Sequence, residues 1–178
     1  MTKPIFTLIL LTCATLHAQS VIVKGSGSVA HRSGTGAGSV RGVASPRFTV
    51  PAGNTNVVID NNSGLMWTRN AGVSGGMYWS NAVAFCVNLE TNGYSDWRLP
   101  SLAEFSKQGS ATGLLDGFPS ANNPALPLGH PFTGIAETYW VNKVESVGYV
   151  WFVDSGSGWA NTTTYEAWLY SAWPCRGP

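Results

Sequence analysis

Charge is scarce in this sequence. Of 178 residues only 11% are Asp, Glu, Lys or Arg, and the formal net charge is +1. So small a charge gives no global attraction for nucleic acid. Low charge beside 12% aromatics, with eight Trp, excludes a disordered chain. Cysteine is scarce too: Cys13, Cys86 and Cys175 are the full set. Three cysteines cannot build a disulfide-rich scaffold, and none has a zinc-type Cys/His spacing. No phosphate loop, G-x-S-x-G elbow or basic-aromatic ladder occurs. Outside the N-terminal stretch, no apolar run is long enough for a transmembrane helix.

The N-terminal stretch has the pattern of an export signal. Lys3 precedes the apolar run IFTLILLTCATL, and Ala18 is a small residue at a plausible cleavage point. Residues 1–18 are therefore read as a signal peptide. A lipid-modified Cys13 is the disfavoured variant, because Thr12 is a poor residue before it. Residues 19–45 are Gly/Ser-rich and basic, with Lys24, Arg32 and Arg41 and no acid. They have too few apolar side chains to offset ordering and read as a linker. The body is residues 46–178, long enough for one domain with a core. From Phe48 onward five bases face nine acids. An acidic body is a poor default for polyanions. The expected location is the periplasm, cell surface or extracellular space. There an even pair, Cys86 and Cys175, suggests one disulfide, with two separate buried thiols as the alternative.

Within the body, NVVID (56–60) alternates and is β-branched, so it reads as a strand, with GLMWT (64–68) as its hairpin partner. Ala82, Val83, Cys86 and Leu89 recur at helical spacing. Ser80 is the expected cap of that helix and Asn92-Gly93 its stop. Ser101-x-x-Glu104 is a capping box opening a second short helix, with Leu102 and Phe105 on its apolar side. Residues 109–135 form a long Gly/Pro-rich loop, which Phe118, Leu126, Leu128 and Phe132 are expected to pin. The runs ETYWVNKV, GYVWFVD, WANTTT and EAWLYSAWPC read as an antiparallel meander. Two helices followed by a meander give an α+β class.

These residues, in this order, resemble a known bacterial family. GLMWTRN, MYWSNAVAFCVNLETNGYSDWRLPSLAEF, ALPLGHPF, YW and the closing WPCRG are similar to the domain of unknown function 1566. It is also called the Lcl C-terminal domain, after a Legionella collagen-like adhesin. The resemblance spans residues 47–177. It implies a C-type-lectin-like domain with two helices packed on a mostly antiparallel sheet. It also implies that a helix cysteine pairs with one on the last strand, as Cys86 and Cys175 would. Export, trimeric assembly and binding of sulfated glycosaminoglycans follow from the adhesin, whose collagen-like stalk this chain lacks.

A lectin-type calcium site would need more carboxylates than any run here supplies, and Asp60-Asn61-Asn62-Ser63-Gly64 suits a hairpin turn. No metal and no cofactor are expected. The related sulfatase-activating enzymes need active cysteines beyond structural ones. His130 sits in LPLGHPF without a nearby nucleophile and reads as a packing residue. No catalytic residue is assigned. Trp67, Asp96, Trp97, Arg98, Leu99, Pro100 and Glu104 read as a structural motif. Asp96 and Arg98 are expected to pair and hold the connection between the helices. Most rings of the meander are expected in the core. Trp159, beside the SGSG turn, is the expected exposed ring, with Asn142 and Asn161 as polar neighbours. The function expected is an exported, non-catalytic binding or adhesion module of the cell envelope, recognising glycans. The alternative is a structural protein–protein subunit of a surface assembly, with oligomerisation compatible with either.

Overall fold

A computed structural model describes residues 46–177. The expected signal peptide, linker and Cys13 lie outside the described residues. Val57–Asp60 (β2) and Met66–Thr68 (β3) form the expected hairpin, with Val58 opposite Trp67. Its turn is closed by Asp60, whose carboxylate accepts the Asn62 N–H at 3.0 Å, and by Gly64 at φ +74°. Asp60 itself is fully buried and pairs with Arg47 at 2.9 Å. Phe48–Thr49 (β1) flanks β2, and Cys175–Arg176 (β9) flanks β3, giving the order β1-β2-β3-β9.

The second sheet contains Gly76–Met77 (β4), Thr138–Ser146 (β5), Tyr149–Asp154 (β6), Ala160–Thr164 (β7) and Tyr170–Ser171 (β8). Its order is β4-β8-β5-β6-β7, antiparallel except for the β5/β8 pair. With helices Trp79–Val87 (α1) and Leu102–Phe105 (α2), the fold is α+β and mostly antiparallel.

Two cores follow from the period of two along a strand. Tyr139, Val141 and Val153 face one side and meet Trp67, Phe105 and Trp173. Trp67, Phe105, Tyr139 and Trp173 form a cluster of rings with centroids 5.3–5.8 Å apart. Trp140 and Val150 face the other side, under Ala82 and Cys86 of α1.

Several local expectations are corrected. Helix α1 starts at Trp79, with Tyr78 rather than Ser80 at its N-cap and no side-chain cap. The Trp79 indole donates to the Val141 carbonyl at 2.9 Å, and this anchor draws the first turn onto the sheet. The helix ends at Val87, and Asn92-Gly93 instead form a tight turn bracketed by reciprocal Thr91–Tyr94 bonds. Both residues have positive φ, as such turns require. Leu126 and Phe132 pin the long loop, but Phe118 and Leu128 are exposed; Leu114, Leu115 and Ala125 are buried in their place.

The expected disulfide is absent: Cys86 and Cys175 are free, buried thiols. Each packs in a different core, Cys86 beneath α1 and Cys175 between the sheets. Burial pushes both thiols up to about 12, with the nearby Arg98 charge opposing the rise at Cys175. Thiols so displaced stay protonated and inert at neutral pH. Among the described residues, no helix is long and apolar enough to cross a membrane, and no group of three His, Cys, Asp or Glu could hold a metal ion.

Candidate functional site

Residues paired directly across strands share a face. The registers Thr138↔Asp154, Trp140↔Phe152 and Phe152↔Asn161 therefore put these side chains on the same side as α1. The helix packs with Trp140, Val150 and Ala172, and Phe152 and Tyr170 are partly buried at the margin of that cluster, beyond which the face is less covered at Trp159 and Trp168. There the rings form a row. Phe152 meets Trp159 edge-on at 6.1 Å and Tyr170 at 5.1 Å. Tyr170 lies parallel to Trp168, with centroids 6.4 Å apart and planes 2° apart. Trp159 is 43% exposed and Trp168 57%. Leu169 and Tyr165 are exposed near them in the chain. A contiguous apolar patch of this kind marks a contact surface more often than it is left bare.

A cleft of about 910 Å³ opens at the Asp154 end of β6, lined in part by Ser120, Asn122, Asn123, His130, Glu137 and Asp154 and by none of the four rings of the row. That volume lies within the roughly 300–1,000 Å³ usual for small-molecule sites. Asp154 belongs to both features, because it stands two residues from Phe152 on the same face. Its Oδ1 accepts the Ser157 N–H at 2.7 Å and the Ser157 hydroxyl at 2.5 Å, which shapes the β6–β7 turn. Gly158 in that turn has φ +77°, and a Cβ there would lie 2.0 Å from the Asp116 carbonyl oxygen. Only glycine lets the turn close against the loop that walls the cleft. The Glu137 carbonyl accepts the Ser155 N–H at 2.8 Å, while its side chain has no bonded partner among the described residues. Burial, and then the Glu137 charge, raise the Tyr170 phenol above its ordinary range, so the carboxylate reaches the aromatic row electrostatically. His130 Nδ1 is buried without a partner, and desolvation lowers the ring's pKa, so the imidazole is neutral at neutral pH.

Charge is distributed unevenly over the domain. Asp60, Asp96, Glu104, Asp116 and Glu145 are each matched by Lys or Arg. Glu90, Glu137, Asp154 and Glu166 have no cationic partner among the described residues. Glu137 and Asp154 line the cleft, and Glu166 precedes Trp168 by two residues. Uncompensated negative charge thus gathers around the rings.

The model of the Lcl C-terminal domain family matches residues 56–176. The chain belongs to that family. The match takes in β2 through β9, and so the ring row, the cleft and the Asp96–Glu104 corner; β1 and Arg47 lie before it. No curated protein matches the chain.

In this Lcl C-terminal domain, Trp159 and Asn161 come together on the open face, but Asn142 does not join them. Its N–H is donated to the Pro100 carbonyl at 2.6 Å. It also stands four residues along β5 from Thr138, about 13 Å at the rise of a strand. Phe152, Trp168, Tyr170, Glu137 and Asp154 complete the site; Trp168 is one of the meander rings weighed from sequence, and the other four carry no sequence assignment. The alternation in GYVWFVD puts Phe152 and Asp154 on one face, which is the signal that could have found them.

The Asp96–Glu104 segment of this Lcl C-terminal domain is a joint. Arg98 grips Glu104 at 2.6 and 2.8 Å, and Asp96 pairs with Arg176 at 2.6 and 2.9 Å. The expected Asp96–Arg98 pair is therefore replaced by two others, because β9 delivers Arg176 to Asp96. The capping box of α2 is present, with Glu104 accepting the Ser101 N–H at 2.8 Å. The Arg98 bond, with the Ser101 bonds opposing burial, pulls the Glu104 carboxyl down to about 2. A carboxylate so held is a poor proton donor or acceptor near neutral pH. Trp97, Leu99 and Pro100 are buried around the joint. Trp67 sits in the central ring cluster.

Proposed function

We propose that this member of the Lcl C-terminal domain family is an exported, non-catalytic binding module of the bacterial cell envelope. Its fold is read as C-type-lectin-like, a reading supported by two small helices against mostly antiparallel sheets. The open face of the second sheet receives glycans. One observation carries this: the row Trp159–Phe152–Tyr170–Trp168, with its outer rings exposed and Asn161 beside it. Flat rings stack against the apolar faces of sugar rings, while neighbouring amides and carboxylates bind hydroxyls. The Lys3 and apolar N-terminal pattern supports export. The tied-up Glu104 and the inert thiols favour binding over reaction.

The test is a glycan array on the full chain, followed by calorimetry of each hit with Trp168→Ala and Trp159→Ala. At least about a tenfold loss is expected, as for truncating an aromatic anchor, with the far-ultraviolet circular dichroism unchanged. An empty array defeats the glycan reading. The exposed Leu169 beside Trp168 supports a second reading, a protein–protein subunit of a surface assembly. That reading gains if the array is empty and sedimentation shows self-association abolished by Trp168→Ala.

A further inference from the structure

We infer that the glycan bound here carries free amino groups, with the cleft taking a protonated amine while the ring row holds the adjoining sugar. This rests on the glycan reading and adds the chemical class of the ligand.

Two carboxylates lining the cleft carry charge that no cation among the described residues answers. Glu137 has no side-chain partner among the described residues, and Asp154 commits one oxygen to Ser157 and leaves Oδ2 without a bonded partner. Both line one cleft, and Asp154 is also the neighbour of Phe152 on the open face. A ligand lying along the rings therefore meets these carboxylates at the end of the row. Glu166 adds a third negative charge by Trp168. No Lys or Arg lines the cleft, and no cation stacks on the four rings of the row among the described residues. Such a surface repels sulfated or carboxylated sugars. It leaves neutral sugars without an electrostatic gain. An ammonium group supplies donors to acceptor-only carboxylates, and a hydrogen bond between two charged groups is about twice as strong as a neutral one. The cleft's other polar lining, Asn122, Asn123 and Ser120, suits the hydroxyls around that amine. Of the basic side chains among the described residues, Arg47, Arg98, Lys107, Lys143 and Arg176 are paired with acids, and Arg69, which has no acidic partner, donates instead to the Pro131 and Thr55 carbonyls at 3.0 and 3.2 Å.

The experiment compares a chitosan oligosaccharide with its fully N-acetylated counterpart by calorimetry on the full chain. It is run at mildly acidic pH, where amines are protonated and carboxylates remain ionised. A heparin oligosaccharide and spermine are the further arms. The deacetylated oligomer is expected to bind at least about tenfold tighter than the acetylated one, the scale for one hydrogen bond to a charged group. Glu137→Gln should erase most of that preference without changing the unfolding midpoint. Trp168→Ala should weaken both oligomers alike and leave their ratio intact. Equal binding of the two oligomers, or a ratio indifferent to Glu137→Gln, overturns the amine inference and leaves the glycan reading standing. Heparin binding more tightly than chitosan overturns it as well. Spermine binding as tightly as the oligomer does the same, because charge alone would then suffice. If neither oligomer binds while another glycan does, the inference falls alone; if no sugar binds, both readings fall.

Discussion

Replacing Glu104 by Gln separates its two structural roles. Glutamine at this position can still reach back to the Ser101 N–H, because the capping box accepts either side chain. What it cannot keep is the charge that meets Arg98 at 2.6 and 2.8 Å. The carboxyl, ordinarily at 4.5, is held at about 2, first by the Arg98 hydrogen bonds. At full weight such a displacement is worth about 3 kcal/mol. The side chains of Arg98 and Glu104 remain 40% and 28% exposed, however. Solvent screening then brings the pair down to about 1–2 kcal/mol. The pH dependence carries a definite sign. A carboxyl depressed in the folded state contributes stability that is complete above its unfolded value and lost as pH falls through its folded value. The gap between wild type and Glu104→Gln should therefore be largest near neutrality and close between 4.5 and about 2. Urea unfolding across that range measures it, with the slope against denaturant unchanged if only the pair is lost. A gap that persists undiminished at the acid end would place the loss in packing. No gap at neutral pH would refute the ion pair as a source of stability.

Two other perturbations probe the core. In the native protein Cys86 and Cys175 should resist alkylation near neutral pH, since burial holds both thiols at about 12. Both should become labelled in denaturant without reductant, and peptide mapping that finds neither labelled would show a disulfide and refute the free-thiol arrangement. Arg47→Ala should destabilise by about 3–5 kcal/mol, because it strands the fully buried Asp60 carboxylate without its partner. Restoring part of that loss with Asp60→Asn in thermal unfolding would identify the stranded charge as the cause. A loss below about 1 kcal/mol would mean that water reaches Asp60 and the buried pair does not matter.

What the sequence revealed and what it hid divide by distance along the chain. Val57 to Thr68 and Ser101 to Glu104 make their partners locally, so alternation and a capping pattern were enough to read the hairpin and the helix start. Asp96 and Arg98 invited pairing because they are neighbours, yet Arg176, 80 residues away, takes Asp96. The even count of cysteines likewise did not reveal that both would be buried as free thiols, each packed in a different core cluster. The ring row depends on β8 lying parallel to β5, a placement no local pattern announces. Trp159 was legible because a turn residue beside Ser157-Gly158 tends outward; Asn142 was misplaced because β5 runs on past the ring row. Two clusters of acid near tryptophan thus looked alike in one dimension and differ in three. Asp96 and Glu104 are answered by Arg176 and Arg98, and their favourable interactions are already spent on the fold. Glu137 and Asp154 are unanswered and stand beside rings that are themselves half bare. A ligand can gain free energy only from groups the fold has left unsatisfied, which is why recognition belongs to the second cluster.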